Sequence, residues 1–431
     1  MTAEHLTDLR VEGDLTRFEA DARGGSGVAL AVFRPRTLAD VRAVIRWARE
    51  IRARLVTQGA NSGLVGASTP DATGTMAVLS TELLTARLDI DPLERTATVS
   101  AGVRLSTLNE AARPFGLFFP IDLGADPSLG GMVSTNTGGA KLVRYGDVRH
   151  NLLGLEVVLA DEPVTVVQCG RGLAKDNTGL DLKQVFVGTG GTLGVVTEVT
   201  VRLHPLPRSS SSALVATSGI DAAVALFQAV NGPTLAAFEV VSANALRLTL
   251  DHLGERAPFA DGLPRLTVLI EFADDDVVDR LAPHAASFDD FVVLPVERAW
   301  AIRHRVTEAL RAAGAVVAFD VSVRRADVGE LVERTRGLLP DGCELCEFGH
   351  LGDGGLHLNV VRFAGPLAEG ELQALRVGVF GLVAELGGSA SAEHGVGPRN
   401  REYVEPTVPE SVHLVHRLLK ARFDPLDLLG R

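Results

Sequence analysis

"LVTQGANSGLVGAS" (residues 55–68) runs from an apolar, strand-like segment straight into Gly59, Gly63 and Gly66, with Asn61 and Ser62 between them. Glycine tolerates backbone conformations that let successive N–H groups converge on an anion, so such a loop can cradle a pyrophosphate. No Lys-Ser/Thr pair closes it, which excludes a Walker loop. Taken alone, it reads as readily as an ordinary glycine-rich turn.

Two later stretches share its character. In "DPSLGGMVSTNTGGAKLVRYG" (126–146), glycine pairs at 130–131 and 138–139 bracket Ser134, Thr135 and Asn136, and "VGTGGTLGVVT" (187–197) repeats the theme. Residues this small make a poor core but a good approach for a flat ligand. Neither is a Rossmann fingerprint: after Gly188 and Gly190 the third glycine position holds Leu193, and no acidic residue follows at the ribose distance. A dinucleotide bound here needs a different fold.

Between these loops, "TLADVRAVIRWARE" (37–50) has the apolar spacing of a helix, with Thr37 as its N-cap. "ARLVTQG", "TATVSAG" and "GVVTEVTVRLHPLP" read as strands, and "LLGLEVVLADEPVTVVQCG" as a hairpin turning at Asp161–Pro163. "RSSSSA" (208–213) is the best boundary candidate. Beyond it, helical "DAAVALFQAV" and "ADVGELVERTRGLL" mix irregularly with strand-like "RLTVLIEFA" and "CELCEFGH", the pattern of an α+β domain on an antiparallel sheet. "PESVHLVHRLLKARFDP" predicts an amphipathic helix with Val412, Val415, Leu418 and Leu419 on one side.

A chain of 431 residues is expected to hold two or three domains. Its net charge of −12 argues against a nucleic-acid partner, which needs a basic face. Cys169, Cys343 and Cys346 are too few for a disulfide framework, so a reducing, cytoplasmic setting is expected. In "CELC" the two thiols fall on opposite faces of a strand and read as structural. "MTAEHLTDLR" shows no secretory leader, and no apolar run approaches the ~18 residues of a transmembrane helix.

"GHLGDGGLHLNV" (349–360) is the most pointed stretch. If Asp353–Gly354 forms a two-residue turn, His350 pairs with His357 on one sheet face, and Asn359 points the same way. Two imidazoles with a carboxylate from elsewhere can bind a divalent metal. Paired surface histidines without such a role are the plainer reading of this stretch by itself.

The five segments "GANSGLVGAS", "PSLGGMVSTNTGGAKLVRYGDVRHNLLGLEVVLAD", "KDNTGLDLKQVFVGTGGTLGVVTEV", "GHLGDGGLHLNV" and "SAEHGVG", in that order, resemble the flavin-dependent D-2-hydroxyacid dehydrogenases of the vanillyl-alcohol oxidase superfamily. Within the family the pattern is most like the members acting on hydroxyglutarate, with those acting on glycolate and D-lactate related. The resemblance implies an α+β fold: a two-part FAD-binding domain at 1–207, a substrate-binding cap with an antiparallel sheet at 208–390, and a C-terminal helical segment at 391–431 packing back towards the flavin domain. It also implies reversibly bound FAD. Gly59, Ala60, Asn61, Ser62 and Gly63 would wrap the pyrophosphate, Ser134, Asn136, Gly138 and Gly139 would lie along the flavin, and Gly194 and Val196 nearer the adenosine.

By the same resemblance His350, His357 and Glu393 would bind a divalent metal, Zn²⁺ or similar, and His394 would be the base. Arg303 and Thr307, four apart on one helical face, would meet the substrate with Asn359. Hydroxyglutarate enzymes carry a lysine where this chain has Ala318, ahead of "FDVSV". The implied reaction oxidises a small 2-hydroxy acid, passing electrons to a quinone or an electron-transfer flavoprotein, in a homodimer. A zinc hydrolase using the same cluster, or a flavin-binding subunit without catalysis, are the competing readings; three glycine-rich loops speak against the first, and a complete metal-and-base set against the second.

Overall fold

The computed structural model describes residues 3–21, 27–173 and 175–431. The chain divides into two compact units, one made of 1–138, 146–206 and 394–431, the other of 139–145 and 207–393.

In the first unit the opening stretch of sequence begins as the strand Arg54–Gln58, which pairs in parallel with Met76–Ser80, itself parallel to Ala29–Phe33. The helix Leu38–Ile51 packs against this sheet. Thr37 caps it as expected, accepting from the Asp40 N–H while the Asp40 side chain accepts in return. A second sheet is antiparallel throughout, in the order Leu88–Asp91, Thr96–Ser100, Val195–Arg202, Leu152–Val158 and Val166–Cys169. The last two strands form the hairpin anticipated around Asp161–Pro163. The chain end contributes too: the Leu55 N–H donates to Leu428 O at 2.7 Å and the Gly430 N–H to Leu55 O at 2.9 Å.

The terminal helix Glu410–Phe423 forms as its spacing predicts, but its apolar side is placed otherwise. Val412, Val415 and Leu418 are exposed, and only Leu419 and Phe423 reach a core, Phe423 stacking on Phe186. Spacing located the helix but not the surface it would meet.

The second unit is built on one seven-stranded antiparallel sheet, ordered Asp290–Leu294, Ser210–Thr217, Leu266–Ala273, Leu235–Ser242, Cys343–Gly349, Gly355–Arg362 and Ala315–Ser322. The serine run read as a boundary is mostly strand. Ser212 is buried and its hydroxyl donates to Leu294 O; hydroxyls that find such partners sit in a sheet at little cost. One sheet face packs under the helices Ala243–Leu253 and Val296–Ala313 with a core that includes Ala237, Val241, Leu269 and Phe348. The opposite face buries Phe238, Ile270, Phe272 and Phe319, with Phe227 and Phe380 edge-on to Phe238 and Phe319. Truncating Phe238 to alanine removes a ring that is 1% exposed. We expect a loss of about 3–5 kcal/mol for such a cavity, read as an earlier urea transition in the fluorescence of Trp300; an unmoved midpoint would show that this face relaxes freely.

Candidate active site

The turn between Cys343–Gly349 and Gly355–Arg362 is wider than the two-residue turn read from the sequence. Phe348, not His350, pairs with His357, so residues 350–354 lie outside the ladder. The reason is tertiary. The Gly352 N–H leaves the hairpin to donate to Phe238 O at 3.1 Å, and the Arg325 guanidinium donates to Gly352 O at 2.6 and 2.9 Å. Gly354, at φ +89°, closes the turn, and the Asp353 carboxylate accepts from the Gly355 N–H.

The imidazoles converge all the same, with ring centroids 5.3 Å apart. His350 Nε2 lies 3.6 Å and His357 Nε2 3.5 Å from the same Glu393 oxygen, Oε1. Glu393 arrives on the segment 389–393, which bridges to the strand Ala315–Ser322: Ser389 and Ser322 exchange backbone hydrogen bonds, and the Glu393 N–H donates to Asp320 Oδ2 at 2.9 Å. Behind each ring stands another carboxylate. Glu239 Oε1 is 2.6 Å from His350 Nδ1, and Asp320 Oδ1 is 3.7 Å from His357 Nδ1. Asp320, His357, Glu393 and the next residue in the chain, His394, offer ligand atoms within 4.8 Å of one another. That grouping takes Asp320 where the sequence reading took His350. We favour the two imidazole Nε2 atoms on one Glu393 oxygen, because Asp320 already accepts the Glu393 N–H.

This donor set fits a metal. Ligand atoms about 2.0–2.2 Å from a tetrahedral Zn²⁺ stand about 3.3–3.6 Å apart, close to the spacings seen around Glu393. The cluster is largely dry, with side-chain exposures of 12–16% for Asp320, His350, His357 and Glu393. Glu239 is fully buried. Burial alone would raise its pKa, but His350 and Arg303 overcome this and lower it to about 2. For His350 burial favours the neutral ring, yet Glu239 and then Glu393 hold its pKa well above the usual value. Burial lifts Asp353 to about 6.

Among the candidate substrate contacts, Arg303 is buried: its Nε donates to Glu239 Oε2 at 2.8 Å and its guanidinium lies over Phe348. Thr307, four residues on, is exposed. Asn359 is 5% exposed, two residues beyond His357 on the same face and paired to Ala318, which is exposed. Cys346 pairs with Asn359 from the other side, its thiol pushed up to about 12 by burial, as a structural cysteine should be. The sequence reading missed Glu239 and Asp320. Their signal was a charge inside an apolar run, "LAAFEVVS" and "AFDVS".

The glycine-rich loops lie in the first unit, apart from Gly139 and the residues up to Tyr145. Asn61 takes a left-handed conformation (φ 56°), its amide donating to Arg17 O and Ala20 O, so the loop 59–63 is held by that side chain. A Cβ on Gly59 would stand 2.3 Å from Ser128 Oγ. That hydroxyl and Thr57 Oγ1 are buried without a hydrogen-bond partner, groups that a bound polar ligand would satisfy. Gly188, Gly190 and Gly191 are all left-handed, and the Gly190 N–H donates to Ser134 O. Asn136 caps the helix Leu129–Thr135 and donates to Asp147. These features fit a pyrophosphate-bearing ligand. At two further candidates, the Val196 side chain packs in the core, leaving its backbone to face a ligand, and a Cβ on Gly194 would meet Val157 at 2.4 Å.

Comparison with known proteins matches residues 29–168 to an FAD binding domain and residues 206–431 to the C-terminal domain of FAD linked oxidases. The mitochondrial D-2-hydroxyglutarate dehydrogenase of Bos taurus is 36% identical over 95% of this chain and 76% of its own length. The D-2-hydroxyglutarate dehydrogenase of Xanthomonas citri pv. viticola is 34% identical over 93% and 88%. In fold, alkyldihydroxyacetonephosphate synthase superposes with a TM-score of 0.70 at 16% identity, over 94% of this chain and 76% of its own. The 4-ethylphenol oxidase of Gulosibacter chungangensis gives 0.69 at 18%, over 99% and 92%. The fold is the two-domain, FAD-binding architecture of vanillyl-alcohol oxidase type. The chain belongs to the FAD-linked oxidases and, within them, to the D-2-hydroxyacid dehydrogenases.

Proposed function

We propose that this protein oxidises a D-2-hydroxy acid to its 2-oxo acid and passes the electrons to a carrier other than NAD, such as a quinone or an electron-transfer flavoprotein. The observation that carries this reading is the meeting of His350 and His357 on one Glu393 oxygen, with His394 next in the chain, in a protein whose other half matches an FAD binding domain. FAD, when bound, supplies the hydride acceptor. A divalent ion such as Zn²⁺, held by His350, His357 and Glu393, would supply the Lewis acid that lowers the pKa of the substrate hydroxyl. His394 takes the hydroxyl proton, since an imidazole titrates near neutrality and accepts it without a large driving-force penalty. Asn359 orients the substrate beside His357. A hydrolase would have no use for the FAD-binding half.

The substrate is read as a 2-hydroxy acid without a second carboxylate. Where the family resemblance leads one to expect a lysine this chain has Ala318, and Arg303 already has its charge matched by Glu239. Bleaching of the flavin under anaerobic conditions by D-lactate, glycolate, D-malate and D-2-hydroxyglutarate tests this. D-2-hydroxyglutarate is expected to be the poorer reductant at low concentration, and A318K to improve it on the order of 10–100-fold, the worth of a charge-assisted hydrogen bond of about 1.5–3 kcal/mol. Fastest bleaching by either dicarboxylate, D-2-hydroxyglutarate or D-malate, in the unaltered protein would reject the reading.

A further inference from the structure

We propose that Glu239 is a positioning residue for the metal centre, fixing His350 so that its Nε2 faces Glu393; this deepens the proposed function and rests on its metal reading. Leu235–Ser242 is buried at every position, and Glu239 is its single charged residue. An apolar side chain would fill that place in the core, whereas a buried carboxylate is costly unless its oxygens are matched. Both are. Oε1 meets His350 Nδ1 at 2.6 Å, and Oε2 accepts the Arg303 Nε–H at 2.8 Å.

The two histidines differ in what holds them. His357 lies within the ladder, paired to Phe348 on one side and Asp320 on the other. His350 lies in the turn, where no strand pairing fixes its ring. A carboxylate at Nδ1 supplies what the backbone does not. With the Nδ1–H donated to Glu239, the neutral ring must present its lone pair from Nε2, the atom 3.6 Å from Glu393 Oε1. Arg303 completes the brace by holding the second carboxylate oxygen and stacking over Phe348. Arg303 thus acts through Glu239 on His350, whatever else it touches.

The test measures zinc affinity, with the FAD-bound full chain stripped of metal and titrated against a chromophoric chelator. E239M/R303M removes both buried charges together, so neither is left unpaired, and replacement of such a pair by apolar residues is often neutral to stability. We expect it to bind zinc about 10–100-fold more weakly than the unaltered protein, the usual loss when a carboxylate behind a ligating histidine is removed. E239Q keeps an oxygen able to accept from Nδ1–H but loses the charge, and should fall between the two, an ordering that a merely structural role would not produce. His350→Ala sets the loss for a missing ligand, and retained flavin absorbance reports a folded chain. Unaltered zinc affinity in E239M/R303M, beside a clear loss in His350→Ala, would overturn the proposal. Should the double variant fail to fold, unaltered affinity in E239Q would do the same. If the unaltered protein holds zinc no better than His357→Ala, the metal reading itself falls, and the inference with it.

Discussion

His394→Ala slows reduction of the flavin by its substrate about 10²–10⁴-fold, the range expected when a general base is lost, while FAD stays bound in full. The residue follows Glu393, whose N–H is tied to Asp320 Oδ2, so the backbone entering His394 is pinned on its N-terminal side. Its imidazole nitrogen belongs to the group of ligand atoms within 4.8 Å that includes Glu393 and His357. The loops that fit FAD, at 59–63, 134–139 and 188–191, do not include it, hence the expected separation between cofactor content and rate. Stopped-flow absorbance at saturating substrate checks this. A reduction rate within a few-fold of the unaltered protein would remove His394 from proton transfer.

Metal removal has a comparable effect. Dialysis against a strong chelator should lower the flavin reduction rate by at least ~100-fold, because Lewis-acid polarisation is worth several kcal/mol and about 2.7 kcal/mol corresponds to 100-fold. Added Zn²⁺, Mn²⁺ or Co²⁺ should restore the rate in the unaltered protein. In His357→Ala and Glu393→Ala they should not, since each variant removes one of the atoms that meet at 3.5 Å. Full activity after complete removal of divalent ions would assign this cluster to another purpose.

Much of the site was legible in the sequence because it lies in short segments. The loop 59–63, the glycines of 188–191, His357 and Glu393 each sit within a few residues of the feature that betrays them. What was not legible came from distant parts of the chain. The register of the His350 turn is set by Phe238 O and Arg325, neither nearby in sequence, so a two-residue turn was the natural but wrong reading. Glu239 is paired with Arg303 and His350, 64 and 111 residues away. From sequence alone it is a charge in an apolar strand, and nothing local says whether it is matched. The Gly130–Gly131 pair shows a different limit: a Cβ on Gly130 would come 2.6 Å from the Ala101 Cβ, so that glycine lets a helix approach the rest of the unit. Small residues admit a neighbouring chain as readily as a ligand. The serine run at 208–213, read as a boundary, does lie next to the division at 206/207, but from Ser210 on it is strand, with Ser212 and Ala213 paired on both sides.

The most direct measurement is an anaerobic reaction of the FAD-bound protein with the D- and L-forms of one 2-hydroxy acid, and with the D-form deuterated at its α-carbon. Bleaching by the D-form, none by the L-form, and slower bleaching by the deuterated acid is the expected outcome. A flavin left oxidised by every 2-hydroxy acid, or reduced without preference for either hand, would contradict it.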